Sequence, residues 1–487
     1  MMISRVPPGH VRAVVERPYD DHLAAAATSL FREEDPVQAM LPYVRETRAP
    51  TELKVDPTFG AIPIGRGNAI PSKSESENVE DMRAAFQDPR KSERFLVSGF
   101  VETGDRIPTH FEEKDEKYPI YSNPLIGGLL SPCLPTCGTS KCVGTTQTVR
   151  TKLDVATLQA NGLDGTGVGL AIVDSGIYVK RIQRLLGEMM GPPTAVSMDA
   201  PNSWRPPGLV TKPFDHRLGH GTMCAYDALI AAPKATLLDF PMLLARPVAD
   251  HHSTSMADAA LHAYTRLAIL WWVTRPFGAL VVSNSWGVFH PCLEDFPPGH
   301  PYRFIDNPNH ALRKYLIRPL ALTGMDIIFC GNNCGDGRNC GGDCASGACL
   351  SKTDRMIMGA NSYEEVLTVG GCDTNDQVVG YSSRGPSIAG MYQNKPDVVA
   401  YTHFLGSKVI GMDAPDTGVS AACPVAAGCV AALRTRFKPS GAPPTVTPQR
   451  MFQQLKATAY RPAGGGPWSA DLGYGIIRPM DAYRKLP

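Results

Sequence analysis

Three residues whose types suit nucleophilic chemistry stand where predicted elements end or begin. Asp174 closes the apolar run "GVGLAIVD" and is followed by "SG", a turn that stops the carboxylate at a strand end. His220 lies between glycines in "RLGHGTMCAYDALIAA", ahead of a helical run of small residues. Ser420 lies in "DTGVSAACPVAAGCVAAL", at the start of a helix, where end amides and the helix dipole favour developing negative charge. Each alone has an ordinary reading: a turn or cap carboxylate, a satisfied structural imidazole, an N-cap hydroxyl. Together, a hydroxyl, an imidazole to take its proton and a carboxylate to orient the imidazole have the parts for acyl transfer.

Those side chains need a frame. From about residue 150 onward, "GVGLAIVD", "ATLLDFPML", "GALVVSNSWG", "GMDIIFCGN", "EVLTVGGC" and "KPDVVAY" are near-continuous apolar runs, as expected of strands buried on both faces. Between them, "SMADAALHAYTRLAILWWV" and "HALRKYLIRPLALTG" carry helical spacing, and "SAACPVAAGCVAALRTRF" is a small-residue helix that must pack closely. This alternation predicts an α/β fold, a mostly parallel central sheet with helices on both faces, over residues 150–487. Residues 1–149 differ in texture. They are rich in proline and charge, as in "HFEEKDEKYP", with short strand-like pieces such as "RFLVSGFVE", and read as an N-terminal accessory region or leader.

Composition narrows the partners. In 487 residues, 48 Lys and Arg almost cancel 47 Asp and Glu, which leaves no electrostatic footprint for nucleic acid or an anionic membrane. No apolar run approaches the roughly 18 residues of a membrane helix, and the start lacks the apolar core of a Sec-type signal, which favours a cytoplasmic over a secreted location. The 13 cysteines are an odd number, so at least one is free or engaged outside an internal disulfide.

Chain order separates the serine-hydrolase architectures. An α/β-hydrolase needs its histidine after the nucleophile, but the last histidine is His403, and the Gly-x-Ser-x-Gly elbow is absent from Gly418-Val419-Ser420-Ala421-Ala422. The chymotrypsin order puts histidine before aspartate on β-barrels. The order Asp, His, Ser on an α/β texture remains.

On these residues the chain resembles the subtilisin-like serine proteases, with "AIVDSGI", "GHGTMCA" and "GVSAACPVAAG" similar to the aspartate, histidine and serine motifs. "SNSWG", "YSSRGP" with "KPDVVA", and "GYGIIRPMDA" match further family segments. The resemblance implies an endopeptidase with Asp174, His220 and Ser420 as the triad and Asn332, from "IIFCGNN", as the oxyanion donor, Asn333 being the competitor. It implies Ser285, Trp286, Gly287 and Gly331 as substrate-cleft residues against an extended polypeptide, and a propeptide that assists folding and blocks the cleft. No cofactor is required for the chemistry. Structural calcium or zinc stays open, with Asp413 and Asp416 read as turn residues.

Departures are Val419 and Ala421 where the family has threonine and methionine, and Val425 in place of a histidine after "CP". Cys224 resembles a buried thiol of proteinase K-like members and is read as a core residue. The loop "CGNNCGDGRNCGGDCASGAC" carries Cys334, Cys340, Cys344 and Cys349, with disulfides, a structural metal and free thiols all open. The same triad also serves a peptide transamidase or macrocyclase, and a catalytically idle fold used for binding is the reading from another class.

Overall fold

The computed structural model describes residues 6–487 apart from residues 33, 46–51, 67–73, 105, 129–140, 191–194, 218, 246–254, 289–290, 336–354, 442–444 and 463–466. Cys340, Cys344 and Cys349 therefore lie outside the described residues.

Along "HVRAVVERP" successive side chains fall on opposite faces, and both faces are covered. β1 (His10–Pro18) is the middle of an antiparallel sheet with β2 (Leu53–Val55), β3 (Ala61–Pro63), β4 (Arg94–Glu102), β5 (His110–Glu113) and β6 (Glu116–Ser122), ordered β2-β4-β1-β6-β5 with β3 beside β4. Ala13, Val15, Val97 and Ile120 pack with Leu23 and Met40 of the helices Asp21–Phe31 and Pro36–Arg45. Val14, Ile62, Leu96 and Tyr121 join the core of the rest of the chain instead. The N-terminal residues thus make an ordered α+β unit with a larger sheet than their short apolar pieces suggested. The reason is that charges inside the strands pair with one another: Glu16 of β1 is fully buried and accepts from Arg94 of β4 at 3.1 Å.

β7 (Leu125–Gly128) follows, and the remaining strands are β8 (Val168–Val173), β9 (Thr236–Phe240), β10 (Ser255–Met256), β11 (Ala279–Asn284), β12 (Trp286–Gly287), β13 (Asp326–Cys330), β14 (Leu367–Cys372) and β15 (Val398–Tyr401). Six of them form the parallel sheet β15-β14-β13-β11-β8-β9, with every residue of β8, β11 and β13 buried. This is the three-layer α/β architecture expected, with helices on both faces.

The helix Val419–Arg434 lies across β8, β11, β13, β14 and β15 and against the helix Gly219–Leu229. Its small residues have a geometric cause: a Cβ on Gly428 would sit 2.1 Å from the Ala228 carbonyl oxygen. At its far end, Arg434 donates to both oxygens of Asp326, at 2.6 and 2.7 Å, and both residues are fully buried. That bidentate pair fixes the helix to β13, and one end of the sheet receives the start of the helix.

Candidate active site

Asp174 is the first residue after β8, fully buried, and its N–H donates to the Phe240 carbonyl at 3.0 Å. His220 is the second residue of the Gly219–Leu229 helix and is 4% exposed. Its Nδ1 lies 2.7 Å from Asp174 Oδ1, which also accepts the Ser175 N–H at 2.6 Å. His220 Nε2 is buried and makes no hydrogen bond among the described residues. The glycines around the motifs allow this approach: a Cβ on Gly221 would come within 2.4 Å of the Gly176 carbonyl oxygen, and Gly176 itself has φ +91°.

Ser420 is the second residue of the Val419–Arg434 helix, fully buried, after Gly418 at φ +74°. Its carbonyl accepts from Ser285 Oγ at 3.1 Å and from Cys224 Sγ at 3.4 Å. Cys224, one turn below His220, also lies 3.7 Å from Asp174 Oδ2, so a single thiol touches the segments that carry Asp174, His220 and Ser420. Burial, with the Asp174 charge adding to it, raises this thiol well above its usual range. Cys423 is likewise pushed up to about 12, chiefly by burial. Both sulfurs are protonated packing groups.

Beyond β13 the structure separates two adjacent asparagines. Asn332, at φ +78°, donates its amide to the carbonyls of Val288 and Met356 at 3.0 and 2.9 Å, so both amide hydrogens are spent on loop structure. Asn333 Oδ1 instead accepts the Val419 N–H at 2.8 Å, beside Ser420. The two asparagines thus have different partners: Asn332 the carbonyls of Val288 and Met356, Asn333 the amide of Val419 next to Ser420. Gly331 N–H donates to the Val369 carbonyl of β14 at 2.8 Å.

Of Ser285, Trp286 and Gly287, expected along the cleft, Ser285 touches the serine segment. Trp286 is fully buried, its ring edge-on to Phe329 at 5.0 Å and its Nε1–H donating to Asn284 Oδ1 at 3.1 Å. Asn361, which sequence reasoning missed, donates to the carbonyls of Trp286 and Cys330 at 2.9 and 2.8 Å and holds β12 against β13. A Cβ on Gly287 would meet the Asn361 side chain at 2.9 Å.

β12 is already paired. β7, from the N-terminal region, lies between β10 and β12 and is antiparallel to both, with Trp286 opposite Gly128, Gly287 opposite Gly127 and Ser255 opposite Ile126. Along this register the chain advances from Gly287 toward Ser285, and Ser285 touches Ser420. The position expected for an extended polypeptide holds a strand of the same chain. No feature of "LIGG" beyond its two glycines announced it.

The profile of the subtilase family matches residues 165–475. The chain belongs to that family. That family is one of serine peptidases. Over 127 residues, 25% of its length, the chain is 33% identical to the subtilisin-like protease SBT6.1 of Arabidopsis thaliana, and it spans 12% of that protein. Two solved structures are similar: MycP1 with its N-terminal propeptide removed, at 19% identity and TM-score 0.43 over 69% of this chain and 96% of that one, and MycP1 from the ESX-1 type VII secretion system, at 17% and 0.44 over 74% and 90%.

Among the described residues, one cluster of metal-ligand type occurs, Asp174, His220 and Cys224, whose ligand atoms lie within 4.8 Å of one another; its carboxylate and imidazole are spent on each other. Asp416, buried and bridged antiparallel to Phe404, accepts from the Oγ of Ser407 at 2.6 Å and from its N–H. Cys334 is disulfide-bonded, and a disulfide sulfur offers zinc no thiolate. No helix among the described residues is long and apolar enough to cross a membrane.

Proposed function

We propose that this subtilase is an endopeptidase that forms an acyl-enzyme at Ser420 and is held inactive by its own N-terminal region, residues 1–149 acting as leader to a peptidase unit of residues 150–487. The observation that carries the reading is β7, seated between β10 and β12 and directed toward the serine. A peptide bound there adds a strand, with main-chain hydrogen bonds for affinity and a flexible or unfolded segment as the substrate that fits.

In the reaction Ser420 Oγ attacks the scissile carbonyl and its proton passes to His220 Nε2, then to the leaving amine. Asp174 holds the other ring nitrogen and stabilises the imidazolium. Water then opens the ester by the reverse sequence. The charge on the tetrahedral oxygen is met by the Ser420 N–H and by the side-chain amide of Asn333, whose Oδ1 is anchored on Val419. The two carbonyl partners of the Asn332 amide favour Asn333 over Asn332 for that role.

The test is a fluorophosphonate probe applied to the full chain and to Ser420→Ala, before and after processing, with the products read by intact mass. Wild type should label at Ser420, slowly while the leader is attached and faster once it is lost, and Ser420→Ala should neither label nor process. A wild type that stays unlabelled after the leader is removed defeats the enzyme reading. Equal labelling rates before and after processing defeat self-inhibition.

A further inference from the structure

Behind the triad lies a second carboxyl–imidazole pair that the chemistry above does not use. Asp239, on β9, is fully buried, and His216, four residues before His220, is 3% exposed. His216 Nε2 lies 3.7 Å from Asp239 Oδ2. Neither His216 Nε2 nor Asp239 Oδ1 has a hydrogen-bond partner among the described residues.

The pair sits where the two arms of the triad are joined. Asp239 Oδ2 accepts the Phe214 N–H at 2.7 Å, and the carboxyl also receives the N–H of Ile177. Phe214 belongs to the segment that leads to His220, and Ile177 to the turn that follows Asp174. The two segments are zipped along their backbones as well, with His216 N–H on the Ile177 carbonyl at 3.0 Å and Val179 N–H on the Phe214 carbonyl at 3.1 Å. The His216 ring covers Gly176 so closely that a Cβ there would be 2.5 Å from Cγ, and the Gly176 carbonyl in turn abuts Gly221, next to His220. The layers Asp239, His216, Gly176 and Gly221 therefore set how far Asp174 stands from His220.

We propose that Asp239 and His216 are positioning residues for the Asp174–His220 contact, and that ionisation of the Asp239 carboxyl loosens the triad and sets the alkaline limit of activity. The inference rests on the peptidase reading. As a neutral acid, Asp239 holds two backbone amides at little cost. As an anion it binds those amides more tightly, but it has one oxygen without a donor among the described residues and faces the like charge of Asp174 from the end of β8. Burial, reinforced by the Asp174 charge, raises its pKa to about 7, and burial lowers that of His216, so both partners are neutral just below that pH. Above it two buried carboxylates face each other, and their repulsion, opposed by the Phe214 and Ile177 amides that favour the anion, strains the frame behind Asp174.

The test is the second-order rate of fluorophosphonate labelling at Ser420, measured on processed protein from pH 5 to 10 for wild type, Asp239→Asn and Asp239→Ala. Asparagine keeps an acceptor and cannot ionise, so the alkaline limb should move up by at least one pH unit. Alanine removes the acceptor and should lower the rate tenfold or more across the range, with circular dichroism unchanged. An Asp239→Asn profile that superimposes on wild type overturns the proposal, as does a folded Asp239→Ala at the wild-type rate. A wild type unlabelled at every pH brings down the peptidase reading instead, and the pair's role with it.

Discussion

Glu16→Ala should release the cleft. The carboxylate is fully buried in β1; Oε2 accepts from Arg94 at 3.1 Å, and Oε1 accepts from Tyr121 at 2.6 Å and from the Tyr315 hydroxyl. Lys314 Nζ lies 3.6 Å away, its pKa brought down to about 8 by burial against the pull of Glu16. Arg94 and Tyr121 belong to the N-terminal sheet, whereas Lys314 and Tyr315 belong to the peptidase side, so one carboxylate binds both. Without it, Lys314 loses its carboxylate, Arg94 is left with the Glu116 carboxylate at 3.0 Å, and two buried hydroxyls lose an acceptor. Removing one partner of a buried ion pair costs about 3–5 kcal/mol. At about 1.4 kcal/mol per power of ten, the population with the leader displaced rises roughly a hundredfold to a few thousandfold. Lys314 keeps 22% side-chain exposure, which favours the lower end. Early-time fluorophosphonate labelling of unprocessed chain reads that population directly. Lys314→Met, which leaves Glu16 its Arg94 partner, separates weakened docking from a weakened leader fold. A folded Glu16→Ala that labels within twofold of wild type refutes the lock.

Three further outcomes follow from the same coordinates. Asn333→Ala should cut the labelling and hydrolysis rates roughly a hundred- to a thousandfold with little change in Tm, whereas Asn332→Ala, which removes the amide donor to the Val288 and Met356 carbonyls, should lower stability by about 1–3 kcal/mol in a denaturant titration. Gly428→Ala drives a methyl into the Ala228 carbonyl and should cost about 1–3 kcal/mol, visible as a lower Tm and slower labelling. His310 sits with Nε2 2.9 Å from the Ser122 carbonyl, just before β7, and burial lowers its pKa from 6.5 to about 4. The unfolded chain therefore binds the extra proton first between those values, so stability is present above pH 6.5 and falls as pH drops toward 4. Tm against pH for wild type and His310→Gln measures this, and the acid slope should be shallower in the variant.

The parallel sheet was legible because each strand is buried on both faces and reads as an unbroken apolar run ending at a chemical group, as "GVGLAIVD" does before Asp174. The small-residue helix was legible as a close contact, and Gly428 over Ala228 is that contact. The N-terminal sheet was not legible. Glu16, Arg17 and Arg94 break the apolar pattern of β1 and β4, and composition cannot reveal that Glu16 and Arg94 neutralise each other across 78 residues. The choice between Asn332 and Asn333 was equally closed to inspection. Their different hydrogen-bond partners follow from the backbone at this turn, where Asn332 has φ +78°, and no neighbouring residue type dictates it. Asn361 and Asp239 were missed because each acts on backbone atoms of distant segments, a contact that only the fold creates.

The pairing of β7 with β12 joins two physical requirements that are usually met apart. A substrate cleft of this kind is a strand edge left open, and an open edge carries unpaired N–H and C=O groups that invite adventitious pairing. β12 is two residues long, is held from behind by Asn361, and offers its other side to whatever strand arrives. On the proposed reading, covering that edge with residues of the same chain would protect it during folding and deny it to substrate by one set of hydrogen bonds. Displacing the cover exposes the edge and the serine together. Because the cover is anchored at a distance, through Glu16 to Tyr315 and through Ser122 to His310, its release is governed by buried polar contacts rather than by the few hydrogen bonds of β7 itself. Substitutions within β7 should then change how well the strand fits, and substitutions at Glu16 should change how often it leaves.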